Sequence, residues 1–322
     1  MASQTTAAAS TAARASPGAA RLDRSLILDK CSSFIDFQLW PLEPTIDASG
    51  WLRNFRADEI EHALHLLNSF MFYSDYLTRE LFASGFQNIS NIIRIPGQIF
   101  HEAQTSWVDF CGKVLVTYVT GEQPNPTDSG FTFARMARQA LGIDQNRIVS
   151  PLEALTKLML YPNLDVLFVD DFVGSGDQFV ATWNRTYDVN GQFPYSFSQH
   201  ASGRTGSRFF YCPAICTQKG YRRIQESCNN VVLSPGNVLP DQYSAIHPDS
   251  IVWPNQLRAS GASFVERASL RAGIPDDLDN LGDWRGHHQL GLTLGFSHSV
   301  PDATLPLFYW EHNGWQPLLR RT

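Results

Sequence analysis

Apolar residues in the first third of the chain recur at three- and four-residue spacings, the period of an amphipathic helix. The clearest stretch is 60–81, with apolar side chains at Ile60, Ala63, Leu64, Leu67, Phe70, Met71, Tyr73, Leu77 and Leu81. We therefore predict a mostly helical segment over 25–86, with residues 60–81 in one helix. Pro41, Pro44 and Gly50 interrupt the pattern before it.

From about residue 106 the pattern becomes one of short apolar runs alternating with helical segments. Runs rich in β-branched and aromatic residues predict strands over 114–119, 147–149, 164–169, 209–215 and 231–233. Helical spacing predicts helices over 131–141, 151–160 and 176–187. Strands that alternate with helices of about ten residues are typical of βαβ units. The sequence predicts an α/β fold whose mainly parallel central sheet is flanked by helices.

The pattern changes again after Pro235, and this divides the chain into four predicted parts. Residues 256–272 have helical spacing, residues 290–296 alternate as in a strand, and the end is rich in aromatics. Residues 1–20 are small and polar with no aromatic side chain. We predict a disordered tail over 1–20, an N-terminal helical region packed on the core over 21–105, an α/β core over 106–235 and a C-terminal β-containing extension docked on that core over 236–322.

Composition excludes several classes of protein. A chain of 322 residues with 43% hydrophobic and 17% charged residues can bury a sizeable core, unlike a coiled coil, a collagen-like chain or a disordered protein. No apolar run approaches the length of a membrane span, and a net charge of -6 gives no direct nucleic-acid signature. Five scattered cysteines and the lack of an apolar secretion signal predict a cytoplasmic protein without a disulfide framework.

The segment 165–185 carries the most informative chemistry. A buried strand is expected to deliver two acids, Asp170 and Asp171, followed by Gly174-Ser175-Gly176 and a helix. In open α/β sheets ligands bind beyond the carboxyl ends of the strands, and N–H groups at a helix start attract anions. Carboxylates accept hydrogen bonds from ribose hydroxyls. Residues 170–178 are therefore predicted to bind a ribose 5-phosphate, with neither a Walker loop nor a dinucleotide fingerprint present.

This segment resembles the phosphoribosyl pyrophosphate (PRPP) motif of the type I phosphoribosyltransferases. That motif has four apolar residues, two acids, two apolar residues and then small-Thr/Ser-Gly-x-Thr. The resemblance implies that Asp170 and Asp171 are the catalytic carboxylates on the ribose diol. It also implies a phosphate-binding loop made of Val173, Gly174, Ser175, Gly176, Asp177 and Gln178. The final threonine is replaced by Gln178, and Asp177 adds a negative charge beside the expected phosphate.

The same resemblance implies a pyrophosphate loop after an earlier strand, and residues 120–130 occupy that place. The candidate residues are Thr120, Gly121, Ser129, Gly130 and Arg135. The loop itself contains no lysine or arginine, so Mg²⁺ would have to mediate the contact with pyrophosphate. This Mg²⁺ is expected to bind through the ligand, without direct protein ligands.

Two further segments extend the resemblance to most of the chain. They are WLRNF over 51–55 and the block F-x-H-x-x-P-x-x-T-L-P-L-F-x-W over 296–310, in which we interpret His298 as a packing residue. With the acidic motif, they resemble PRTase-CE, the phosphoribosyltransferase-like proteins of bacterial conflict and antiviral-defence gene clusters.

Three functions remain open from the sequence. The resemblance implies an effector that binds PRPP or a nucleotide and acts as a glycosyltransferase, by pentosyl transfer or cleavage at the anomeric carbon. The first alternative is a non-catalytic nucleotide sensor that signals to a protein partner encoded nearby. The second alternative is a phosphoribosyltransferase of nucleotide salvage, against which the long segments on either side of the core argue.

Overall fold

The computed structural model describes residues 21–121, 129–189, 191, 193–203, 206–278 and 282–321. The helices are α1 Arg24–Asp36, α2 Ala48–Leu52, α3 Ile60–Ser69, α4 Asp75–Ile93, α5 Phe100–Lys113, α6 Ser129–Leu141, α7 Pro151–Leu160, α8 Asp177–Asn184, α9 Phe197–Ser202, α10 Gln218–Ser227 and α11 Asn255–Ala272. The strands are β1 Met71–Tyr73, β2 Leu115–Tyr118, β3 Val166–Val173, β4 Tyr187–Val189, β5 Phe193–Tyr195, β6 Phe209–Thr217, β7 Val231–Leu233, β8 Asn237–Leu239 and β9 Leu294–Phe296. The predicted tail over 1–20 lies outside the described residues.

The central sheet is parallel throughout its described strands, in the order β2-β3-β6-β7, with β8 beside the carboxyl end of β6. Its strands read as continuous apolar runs because both faces of the sheet are covered. The predicted α/β class and mainly parallel sheet are confirmed. Strand β8 carries the sheet to Leu239, four residues beyond the core boundary predicted at 235.

Side chains alternate between two buried layers on the faces of this sheet. Leu167 and Val169 of β3 pack with residues of α4 and α6, on what we call the α6 face. Val166 and Phe168 pack with residues of α7 and α8, on the α8 face. Because successive side chains of a strand point to opposite faces, adjacent residues of β3 enter different layers.

The N-terminal helices and the C-terminal segment share a third hydrophobic core. The Trp51 ring stacks on Phe308 with centroids 5.3 Å apart, and Trp51 Nε1 donates to the Leu307 carbonyl oxygen at 2.7 Å. Residues of α11 join the same cluster. The aromatic end of the chain is therefore packed, and much of its contact is with the helices that precede the sheet.

The single helix predicted over 60–81 was wrong. Helix α3 ends at Ser69, and Met71–Tyr73 then form β1, which pairs in parallel with β9. Ser74 begins α4 by accepting a hydrogen bond from the Leu77 N–H. The apolar spacing is the same on both sides of the break, so periodicity alone could not detect a strand whose partner lies more than 200 residues later.

Two other predicted strands are shorter in the structure. Residues Gln145–Arg147 form a 3₁₀ turn, followed by a single parallel bridge from Ile148 to Val116 of β2. The strand predicted over 290–296 is regular only in β9, with one further bridge from Leu292 to Thr304. Of the helices described, none is long and apolar enough to cross a membrane.

Candidate functional site

The candidate site lies at the carboxyl ends of β2 and β3. Strands β2 and β3 are neighbours, but α6, which follows β2, covers one face, whereas α8, which follows β3, covers the other. This divergence opens a crevice at the carboxyl ends of the two strands, the place where open α/β sheets bind ligands. The acidic pair and the glycine loop are at the end of β3, and Thr120 is just beyond the end of β2.

Asp170 lies inside β3 and faces the α8 face of the sheet. It is 3% exposed, and the Tyr211 hydroxyl donates to its Oδ2 at 3.0 Å. The Tyr211 ring stacks on Phe179 of α8 at 4.0 Å, which holds that hydroxyl in place. Burial, and secondly the neighbouring Asp171 carboxylate, raise the pKa of Asp170 well above its usual value.

Asp171 faces the opposite layer and has a different partner. The Phe172 N–H donates to its Oδ1 at 2.8 Å, and the His298 Nε2 lies 2.8 Å from its Oδ2. Asp170 lies on the α8 face with Tyr211, whereas Asp171 and the next residue, Phe172, both contact residues 296–298 on the α6 face. The two acids, expected to act together on a ribose diol, therefore have different side-chain partners.

His298 is a site residue that the sequence analysis assigned to packing. Its ring lies beside Phe296 at 5.3 Å and near Phe133 of α6 at 6.1 Å, so it does pack. It also contacts Asp171, from which it is separated by 127 residues in the chain. Its place in the 296–310 block was visible in the sequence, but no spacing rule joined that block to the acidic pair.

The phosphate-binding loop predicted over 173–178 forms a turn between β3 and α8. Val173 is buried, and the Gly174 carbonyl oxygen accepts a hydrogen bond from Thr217 Oγ1 at 2.5 Å. Gly176 has φ +88°, and a Cβ there would lie 2.9 Å from the Gly220 carbonyl oxygen. Glycine is required at this position by both its backbone conformation and the close approach of α10.

Two backbone N–H groups of the loop are available to a ligand. The N–H groups of Ser175 and Gly176 have no acceptor among the described residues, and the Asp177 N–H is bonded to Ser175 Oγ at 3.3 Å. Gln178 is exposed in the first turn of α8. Unpaired N–H groups followed by a helix start make a favourable place for an anion.

The negative charge of Asp177 is paired. Arg223 of α10 donates to its Oδ1 at 2.8 Å, and His288 Nε2 lies 3.8 Å from its Oδ2. Partial burial acts in the opposite direction, but the hydrogen bonds from Arg223 and Ser175 lower the pKa of Asp177. Asp177 therefore brings two basic side chains beside the loop, a compensation that the sequence did not reveal.

The candidate pyrophosphate loop is described only in part. Thr120 and Gly121 are held by α8: the Thr182 hydroxyl donates to the Thr120 carbonyl oxygen at 3.0 Å, and Arg185 donates to Thr120 Oγ1 and, at 2.7 Å, to the Gly121 carbonyl oxygen. Residues 122–128 lie outside the described residues. Ser129 and Gly130 begin α6. Arg185 thus supplies a cation beside a loop that contains none of its own.

Arg135 lies beside a pocket at the outer edge of β2. With Arg138 it lines this pocket of about 350 Å³ beside Ile148, and Ile148 bridges β2 on the side away from β3. The structure therefore brings Thr120, Gly121 and the 170–178 segment to the crevice but places Arg135 across β2 from Asp170. The cation beside the loop is instead Arg185. Its position in the sequence, at the end of the helix that follows the acidic motif, is the one signal that could have suggested this role.

A second pocket of about 370 Å³ adjoins the glycine loop. Thr217, which bonds the Gly174 carbonyl oxygen, lies in its wall, as does Leu290, whose side chain would be 3.3 Å from a Cβ at Gly174. Lys219 and Arg222 add positive charge, and Leu239 and Ile246 add apolar surface. This pocket has room for a ring-sized group next to a phosphate on the loop.

The five cysteines are free and belong to the packing. Cys212 and Cys216 of β6 are fully buried, and burial raises the pKa of both thiols. Within the described ranges no group of three or more His, Cys, Asp or Glu side chains could hold a metal ion.

These features define an α/β protein with an acidic pair, a glycine loop and a helix start at the carboxyl edge of a parallel sheet. The model of the PRTase-CE family matches residues 48–321, which include every residue of this site. The chain belongs to the PRTase-CE family and is a phosphoribosyltransferase-like protein.

Comparison with solved structures finds the AQ2163 protein from Aquifex aeolicus, with 11% sequence identity and a TM-score of 0.28, over 69% of this chain and 87% of that chain. No curated protein matches the chain.

Proposed function

We propose that the chain binds PRPP, or a nucleotide with the same ribose phosphate, in the crevice between β2 and β3. The observation that carries this proposal is the 174–178 loop. Its Ser175 and Gly176 N–H groups have no acceptor among the described residues, and Arg223 lies beside them on Asp177. A 5-phosphate would accept from these donors at the start of α8.

In this proposal the two acids have unequal roles. Asp171 binds a ribose hydroxyl, because it lies at the end of β3 directly before the glycine loop and a carboxylate accepts hydrogen bonds from hydroxyls. Asp170 does not contact the ribose; it accepts a hydrogen bond from Tyr211 on the α8 face. Its raised pKa keeps this carboxyl neutral over a wider pH range. A single carboxylate at the ribose still stabilises the positive charge that develops on the sugar during pentosyl transfer.

Mg²⁺ is expected to accompany the ligand. Carboxylate donors suit this ion, but the described residues contain no cluster that would hold it directly, so PRPP oxygens would supply its ligands. When bound, it would contribute charge neutralisation at the pyrophosphate. Arg185, on the Gly121 carbonyl oxygen at 2.7 Å, is the protein cation best placed to add to that charge.

The reaction we propose is pentosyl transfer or cleavage at the anomeric carbon, as an effector in bacterial antiviral defence, with a partner encoded nearby. The defence role rests on the family alone.

The alternative is a nucleotide sensor without turnover. Both acids are little exposed, 3% for Asp170 and 6% for Asp171, so a ligand must open the site to reach them in either case. Nucleotide salvage remains the second alternative.

Calorimetry with PRPP and Mg²⁺, combined with a pyrophosphate-release assay, tests the proposal. We expect the protein to bind PRPP, Asp171→Asn to weaken binding at least tenfold, and Asp188→Asn, an exposed control on β4, to bind normally. Binding with turnover supports the transferase, and binding without turnover supports the sensor. Unchanged affinity in a folded Asp171→Asn variant would refute the site.

A further inference from the structure

His298 sits on a rigid turn directly after β9. The Phe296 N–H donates to the Ser299 carbonyl oxygen at 2.8 Å, and the Ser297 N–H donates to the Tyr73 carbonyl oxygen at 3.1 Å. The Ser297 hydroxyl is also bonded to Asp75. A histidine held on both sides by backbone hydrogen bonds, with its ring between Phe133 and Phe296, has a fixed orientation toward Asp171.

The contact with Asp171 determines which nitrogen of the His298 imidazole carries the hydrogen. An ionised carboxylate can only accept, so the Nε2 that lies 2.8 Å from Asp171 Oδ2 must carry a hydrogen. In the neutral ring the lone pair is then on Nδ1. Nδ1 has no hydrogen-bond partner among the described residues, and 28% of the His298 side chain is exposed. The free nitrogen is thus available to a bound molecule.

The groups around the imidazole are mostly acidic. Asp171 faces the ring from β3, Asp170 lies behind it in the same strand, and Asp75 of α4 is bonded to the preceding serine. These are acidic groups, and α6 contributes the apolar ring of Phe133. A histidine oriented by a carboxylate, with its second nitrogen open, is the arrangement of a general base.

We propose that His298 is the general base of this site and that Asp171 orients it; this inference rests on the proposed function. The acceptor X–H attacks the anomeric carbon with the electron pair of X, and the bond from that carbon to pyrophosphate oxygen breaks, with its electrons leaving on pyrophosphate. The proton of X passes to His298 Nδ1. A ribose hydroxyl on Asp171 brings the neighbouring sugar carbons next to this ring.

The assignment also specifies a class of acceptor. A base is needed only where the attacking atom carries a proton that must leave, as in water, an amine, a ring N–H or a hydroxyl. An acceptor that is already an anion, such as a carboxylate, would gain nothing from His298. The acceptor class is therefore a neutral N–H or O–H nucleophile.

Kinetics with PRPP, Mg²⁺ and water or nucleobases as acceptors test this inference. We expect His298→Gln, whose amide can still donate to Asp171, to bind PRPP within about threefold of wild type but to release pyrophosphate ~10²–10⁴-fold more slowly. The rise of the wild-type rate with pH should disappear in the variant. Added imidazole should restore part of the rate in His298→Ala. The exposed His101→Gln is the matched control.

A second measurement needs no variant. The ¹⁵N signals of the His298 imidazole in the intact protein should show Nε2 protonated and Nδ1 unprotonated at neutral pH, and the opposite tautomer would overturn the assignment. An unchanged rate in His298→Gln, or PRPP binding without pyrophosphate release for any acceptor, would also overturn it. Failure of wild-type protein to bind PRPP in calorimetry is the separate result that refutes the proposed function itself.

Discussion

Replacing Asp170 with asparagine should make the protein more stable at neutral pH. The carboxyl is only 3% exposed and lies beside a second acid. Among the described residues, the side chain that donates a hydrogen bond to it is Tyr211, whose hydroxyl is neutral and lies at 3.0 Å. Burial and Asp171 raise its pKa in the folded state. Each unit of such a shift corresponds to about 1.4 kcal/mol of folding free energy that is lost once the carboxyl ionises.

The sign of the pH effect follows from proton uptake. Between the unfolded pKa near 3.8 and the higher folded pKa, the native state binds the proton more tightly than the unfolded chain. This carboxyl therefore contributes stability in acid that is lost as the pH rises through the folded pKa. Asparagine stays neutral at every pH and keeps an oxygen and an N–H for Asp171 and Tyr211.

We expect Asp170→Asn to raise the free energy of unfolding by about 1–3 kcal/mol at pH 8, the range for relieving a poorly satisfied buried group. Urea unfolding at pH 5 and pH 8 measures it, with Asp188→Asn as the exposed control. The gap between variant and wild type should widen from pH 5 to pH 8. A variant less stable than wild type by the same amount at both pH values would refute the reasoning, because it would mean that Asp170 is ionised and well compensated.

Three further changes test other parts of the structure. Gly176→Ala should destabilise the fold by about 1–3 kcal/mol in urea unfolding, since φ is +88° and Gly220 O is close, whereas Gly112→Ala, with open space around it, should not. Arg185→Ala should weaken PRPP binding about tenfold in calorimetry by losing charge-assisted hydrogen bonds on Thr120 and Gly121; unchanged affinity would place the pyrophosphate elsewhere. Trp51→Ala should cost about 3–5 kcal/mol of unfolding free energy and leave the PRPP site intact in the fraction that folds, because Trp51 is fully buried in the third core.

Local pattern predicted the elements of the central sheet well. Strand β2 was expected at 114–119 and spans Leu115–Tyr118, and α7 and β7 have the expected bounds. These segments are fixed by apolar runs and caps within a few residues, such as the Ser150–Glu153 capping box before α7. The break at Met71–Tyr73 was missed because it depends on pairing with β9, which no local window contains.

Within the site, the sequence located the ligand-binding segment but treated its members as equivalent. Asp170 and Asp171 have different partners, Tyr211 and His298, on opposite faces of β3. The roles of Arg223 and His298 could not have been anticipated, since each acts through a contact made across the fold.

The sequence alone therefore determined the α/β class, the parallel sheet, the glycine loop and the resemblance to PRTase-CE, because these depend on residues close together in the chain. The tertiary structure decided which acid contacts His298, which cations lie beside the loops, and on which side of β2 Arg135 lies. Those outcomes depend on the order of the strands and on the faces that α6 and α8 cover. Contacts between Asp171 and a residue 127 positions away arise only when the C-terminal segment closes over the sheet.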